Sequence, residues 1–332
     1  MTSVHADDLP TYAELAERTG RQRGTAWGVF GDADQLGTLN HLTPDRTRAA
    51  MSSVRRGITV NLNLPLDAFD PPLIAHRGAI EHHVFGLNEY HRDERIDNLF
   101  TQSSTQIDGL RHFAHPDHGF YNEVPGDRLR AGTPDLGIQE VAQAGIAGRG
   151  ILIDLARYRS GIGRPIDQDS AEQISVTELD EALHWQGTAV SPGDILLLRF
   201  GWLEHIRRPG ATRQVPLVSP GLAQREETAA WLWDSRVAMV AADNLALEAW
   251  PATGSALTTL AEQSGRLEPS SHTGMLHRIL IPLLGLTIGE LWDLDHLADE
   301  CEASGHHDFL VTAEPLNITG GVGSPANALA VI

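Results

Sequence analysis

The chain has 332 residues, 41% of them hydrophobic and 21% charged, which is the composition of a folded protein with a substantial core and not of a disordered one. A formal net charge of −19 excludes the basic surface that nucleic acid or an anionic bilayer requires, and favours solubility. The lone cysteine, Cys301, sits among Asp299, Glu300 and Glu302, so neither an intrachain disulfide nor a cysteine-held zinc is available; the sixteen histidines supply the nitrogen ligands.

Met1 to Thr19 carries acidic residues and no apolar run, and does not read as a secretory signal. No stretch approaches the roughly 20 apolar residues of a bilayer span, so a soluble cytoplasmic protein is expected. Residues 1–25 read as a polar extension with a short helix over about Thr11 to Arg18, and residues 26–332 as one domain, undivided by linker or repeat. Glycines among large apolar side chains in Trp27–Asp32 and Leu36–Asn40 predict tight loops on the core. Thr43-Pro44-Asp45 opens a helix to about Val54, with Thr43 as N-cap and Pro44 in the first turn. Ile58 to Leu64 alternates apolar and polar residues, as a half-buried strand does. Residues 65–97 are rich in proline, histidine and charge, with a strand over Ile80 to Phe85 that places Glu81 and His83 on one side and His82 on the other.

Asn98 to Asn122 concentrates Gln102, Gln106, Asp108, Arg111, His112, His115, Asp117 and His118, with Ser103, Ser104, Gly109 and Ala114 leaving room between them. If Thr105 to Asp108 is extended, Gln106 and Asp108 share a face. A helix starting just after Asp108 would return His112 to that face, four residues on. Asp108 is then an oxygen ligand or an orienting group, and His112 a proton shuttle or a nitrogen ligand. The commonplace alternative is a helix cap with an exposed partner.

Further on, Gly137 to Gly145 reads as a short helix, and Gly150 to Leu155, Ile195 to Phe200 and Val237 to Ala242 as buried strands. Ser175 to His184 is a helix opened by a capping box, Ser175 with Glu178, and Gln224 to Trp233 is another. Asp243, Asn244 and Glu248 follow a buried strand, where α/β proteins often place sites. Pro282 argues against a long helix after His277, and His307 to Thr312 reads as a strand. The glycine-rich Leu316 to Pro325 lacks the lysine of a phosphate loop. The pattern is that of one α/β domain.

The run Gln102-Ser-Ser-Thr105-Gln106-Ile-Asp108, then His112, resembles the signature of the cyclase family that includes metal-dependent kynurenine formamidases and isatin hydrolases: His-x-Gly-Thr-His-x-Asp, with a histidine four residues later. His277 and Glu290 match a second family feature in order and gap. Asn317 to Asn327 resembles the family's ending, and Trp27-Gly-Val-Phe-Gly31 with Leu39-Asn40 resembles one of its subgroups, so the likeness covers most of residues 25–332. Glutamine replaces both leading histidines, and Ser104 replaces the glycine.

The resemblance implies a single domain with a mixed central β-sheet flanked by helices, of the swivelling β/β/α type, and a homo-oligomer. It implies a divalent metal held by Asp108, His277 and Glu290, with Gln102 and Gln106 as neutral, harder replacements for imidazole. Zinc or manganese is expected, with metal-free chemistry as the alternative. His112 becomes the general acid/base, with Asp108 beside it. Trp27, Phe30, His83, Arg111, His115 and Asp243 are the candidate substrate-binding residues. The expected activity is hydrolysis of an amide or lactone in a small molecule; a cyclase or dehydratase, or a non-catalytic binding protein on the same scaffold, are the alternatives.

Overall fold

The computed structural model describes residues 9–211, 214–252 and 257–332; the first eight residues of the expected N-terminal extension lie outside the described residues. The strands are β1 (Thr59–Asn61), β2 (Glu81–Gly86), β3 (Arg92–Asp97), β4 (Gln106–Asp108), β5 (Ile146–Asp154), β6 (Gln173–Ile174), β7 (Ile195–Arg199), β8 (Gly221–Leu222), β9 (Met239–Ala242), β10 (Thr287–Glu290), β11 (Asp308–Ala313), β12 (Gly323–Pro325) and β13 (Ala328–Val331). Nine form one sheet in the order β1-β13-β11-β5-β7-β9-β10-β4-β12. The central four, β5, β7, β9 and β10, are parallel. The strands on either side of them are antiparallel, which makes the sheet mixed.

The parallel centre is apolar on both faces because both faces are covered. Ile151, Ile153, Leu196, Leu198, Val240 and Ala242 enter one core, with Leu179 and Leu183 of helix Val176–Gln186 and Leu232 and Trp233 of helix Glu226–Asp234. Their neighbours Leu152, Ile195, Leu197, Met239 and Ala241 enter the other, with Leu297 and Cys301 of helix Asp295–Ser304. Truncating a wholly buried leucine such as Leu197 to alanine costs about 2–5 kcal/mol.

The described part of the N-terminal segment is docked on this body. Thr11 and Glu14 form a capping box on helix Tyr12–Glu17, Leu15 is fully buried, and Trp233 donates its indole N–H to the Pro10 carbonyl at 2.8 Å. The helix expected over 43–54 is Pro44–Ala50, capped by Thr43 and continued by a 3-10 turn. β2 and β3 form a separate two-stranded ribbon that is exposed almost throughout. Among the described residues no helix is long and apolar enough to cross a membrane.

The segment after Asp108 departs from expectation. It is a turn, closed by His112 N–H donating to the Gly109 carbonyl at 2.9 Å, and not a helix. The turn still folds the chain back, so His112 returns to Asp108 all the same.

Candidate active site and metal centre

Charged groups gather at the carboxyl edge of β9 and β10. β4 lies antiparallel against β10, with Gln106 opposite Glu290 and Asp108 opposite Ile288. Residues two apart in a strand share a face, so Gln106 and Asp108 point the same way, with Glu290 beside Gln106. Gly323 of β12 lies opposite Asp108; a Cβ there would stand 3.2 Å from the Gln102 side chain, so glycine makes the space in which Gln102 reaches Asp108.

His277, the first residue of helix His277–Leu280, is the hub. Its Nδ1 lies 2.9 Å from Glu248 Oε2, and its Nε2 lies 3.0 Å from Glu290 Oε1 and 3.7 Å from Asp108 Oδ2. Gln106 donates its amide N–H to Glu290 Oε2, and Gln102 donates its own to Asp108 Oδ1. Gln102 therefore turns its amide nitrogen to the cluster, not its carbonyl. His112 brings Nε2 to 3.8 Å from Asp108 Oδ2 and keeps 22% of its side chain exposed.

The electrostatics follow from burial and charge. Burial pushes Glu290 up to about 7, helped by the charges of Asp108 and Glu248 and opposed by His277. Burial alone would lower His277, but Glu248, Asp108 and Glu290 outweigh it and hold the imidazole well above its usual range. Burial would raise Asp108, but His112, His277 and Gln102 prevail and keep it ionised. Burial lowers His112 despite Asp108, which favours the neutral imidazole.

The donor set fits a divalent cation. Asp108, His277 and Glu290 each offer a ligand atom, all within 4.8 Å of one another. Asp108 Oδ2 and Gln106 Oε1 are buried without a hydrogen-bond partner among the described residues, and an orphaned buried acceptor is costly unless something fills its place. Gln102 ties off Asp108 Oδ1 and leaves Oδ2 free, whereas Glu290 has one oxygen on Gln106 and the other on His277.

A cavity of about 290 Å³ opens over this cluster. His112, His277 and Glu290 line it on the polar side, and Phe113, Trp250 and Met275 on the apolar side. Phe113 packs against His277 with ring centroids 5.2 Å apart, and Trp250 against His272 at 5.7 Å.

The structure brings together Gln102, Gln106, Asp108, His112, His277 and Glu290, and places the remaining candidates elsewhere. Trp27 is in the core, with its indole N–H on the Pro282 carbonyl at 2.7 Å. Phe30 packs on His41 and Trp233. His83 is on the ribbon, 3.3 Å from Asp97. Arg111 is committed to the carbonyls of Arg130, Thr133 and Gly320. His115 closes a local turn with Gly119, and burial with the neighbouring His118 lowers it to about 4. Asp243 accepts from the N–H groups of Phe200 and Gly201 at 2.7 and 2.8 Å, a strand-end clamp. Sequence reasoning missed Arg77, Phe113, Trp250 and His272, all of which line the cavity.

A family model described as Putative cyclase matches residues 41–249. A crystal structure described as a novel cyclase is 31% identical, with a TM-score of 0.77, covering 93% of this chain and 99% of its own. Isatin hydrolase A from Labrenzia aggregata bound to benzyl benzoate is 16% identical, with a TM-score of 0.56, covering 82% of this chain and 93% of its own. Isatin hydrolase A from Ralstonia solanacearum is 17% identical, with a TM-score of 0.51, covering 87% of this chain and 98% of its own. The last two speak for the fold alone. No curated protein matches the chain.

Proposed function

Because the chain belongs to the cyclase family, we propose that the buried cluster is the active site of a hydrolase that opens an amide or lactone carbonyl in a small molecule, using a divalent cation held by Asp108, His277 and Glu290 and His112 as general acid/base. The observation that carries this reading is the convergence of three buried ligand atoms within 4.8 Å beside the cavity that His112 lines.

The cation would polarise the carbonyl and lower the pKa of a water within its reach. Everything else falls to the side chains. Glu248 accepts a hydrogen bond from the Nδ1–H of His277, which fixes the tautomer that leaves Nε2 free for the cation. Gln106 and Gln102 hold the Glu290 and Asp108 carboxylates in place before substrate arrives. His112 takes a proton from the attacking water and delivers it to the leaving group, and Asp108 steadies the imidazolium in between. Phe113 and Trp250 keep bulk water from the reacting centre. Carboxylate and amide oxygens around a single imidazole favour manganese over zinc.

Elemental mass spectrometry of protein purified without chelators should find about one or two equivalents of zinc or manganese per chain. His112→Ala should keep that metal and lose about 10²–10⁴-fold in kcat. Full activity in both the chelated protein and His112→Ala would sink the reading. A second reading, cyclisation or dehydration by the same acid/base pair, draws on the absence of imidazole at positions 102 and 106, which lowers the affinity of the site for zinc. Product mass separates the two: hydrolysis adds one water, whereas cyclisation adds none.

A further inference from the structure

Arg77 has no role in the chemistry above. It comes from the irregular segment between β1 and β2, and lines two cavities at once. One is the cavity over His112; the other, of about 60 Å³, is lined by Gln102, Gln106 and Glu290. The Arg77 guanidinium donates to the Gln102 backbone carbonyl. Among the described residues it makes no other hydrogen bond, and no carboxylate comes within the 4.0 Å of an ion pair.

That sets it apart from the wholly buried arginines among the described residues, of which three are ion-paired and the fourth, Arg111, is claimed by three carbonyls. Arg159 is paired with Glu172 and Glu178, Arg199 with Asp154, Glu204 and Asp295, and Arg278 with Glu262. A guanidinium carries five N–H donors in a planar fork, and taking it out of water without a counter-ion is unfavourable. Glu290 and Asp108 offset part of that burial from a distance, without touching it. The same cavity is lined by Phe113, Leu245, Trp250 and Met275, apolar side chains suited to a ring or chain. A planar cation bound to one carbonyl and to no carboxylate thus shares a cavity with apolar side chains and with the acid/base group.

We propose that Arg77 is the specificity-determining residue of this site, and that it takes in its fork a carboxylate borne by a substrate with an aromatic or other apolar body. The geometry matches the preference of arginine for planar, two-point recognition of a carboxylate, which a lysine would not reproduce. The inference rests on this cavity being the active site, and adds the substrate class to it.

Benzoate and its neutral counterpart benzamide are the probes, titrated calorimetrically into the protein as purified. The wild type should bind benzoate about tenfold or more tightly than benzamide. Arg77→Met should abolish that preference by weakening benzoate alone, while keeping the bound metal. Arg77→Lys should retain a smaller preference. Equal affinities in the wild type, no benzoate binding, or a preference that survives in Arg77→Met would each overturn the proposal; the last would put the carboxylate on the cation or on His272. If Arg77→Met does not fold, the wild-type comparison and Arg77→Lys decide. A metal-free, inactive wild type that still prefers benzoate through Arg77 would defeat the hydrolase reading and leave this one standing.

Discussion

Two clusters of three carboxylates stand along the carboxyl edge of the parallel strands, each around one basic side chain. At the ends of β5 and β7, Arg199 lies 3.1 Å from Asp154, 2.5 Å from Glu204 and 2.9 Å from Asp295. At the end of β10, His277 stands among Glu248, Glu290 and Asp108 at 2.9, 3.0 and 3.7 Å. The first hub is a cation at every accessible pH, and its carboxylates hold it further in that state. The second is an imidazole, which can give up its proton and accept a metal in its place. The sheet edge therefore carries one permanent strut and one exchangeable centre, and the orphaned oxygens at Asp108 and Gln106 belong to the second.

The sharpest test of the comparison is Arg199→Met. Removing a buried hub strands its carboxylates, so urea unfolding should show a loss of about 3–5 kcal/mol, with metal content unchanged. A loss under about 1 kcal/mol would break the distinction. A smaller effect is expected at Asp243, which adjoins the same strut. Burial pushes its carboxyl up to about 7, against the pull of Arg199 and of two backbone N–H groups. The native protein thus holds a proton that the unfolded chain releases near its ordinary value. This contribution to stability is intact below about pH 4 and is lost as pH rises toward 7, by on the order of a few kcal/mol. Asp243→Asn should flatten the decline in urea midpoints across that window. The smallest stability change is expected from Asp108→Asn. It relieves repulsion with Glu290 and should leave stability within about 1 kcal/mol while metal content falls close to zero. Destabilisation matching that of Arg199→Met would make the second cluster a strut as well.

The sequence made some of this legible and hid the rest for physical reasons. A two-residue period placed Gln106 and Asp108 on one face, and a four-residue return brought back His112, although a turn and not a helix makes that return. His277 and Glu290 lie more than 160 residues further along, and only the family resemblance linked them to Asp108. The apolar runs of β5, β7 and β9 read as buried strands, and the structure buries them at the parallel centre of the sheet. β3, read as Arg-Asp-Glu-Arg-Ile-Asp, pairs only with β2 and buries nothing, so hydrophobic patterning has nothing to report there. Arg111 and Arg77 look alike in sequence. What separates them is that three carbonyls claim the first and one claims the second, and such partners are assigned only by the tertiary fold.

The bond between Arg77 and the Gln102 carbonyl also clasps the base of the β2–β3 ribbon, whose tip carries Tyr90 at 87% exposure. Everything between the two feet is a detour from the chemistry. An exposed ribbon held at its base is an attachment point for a label or a fused domain away from the buried cluster.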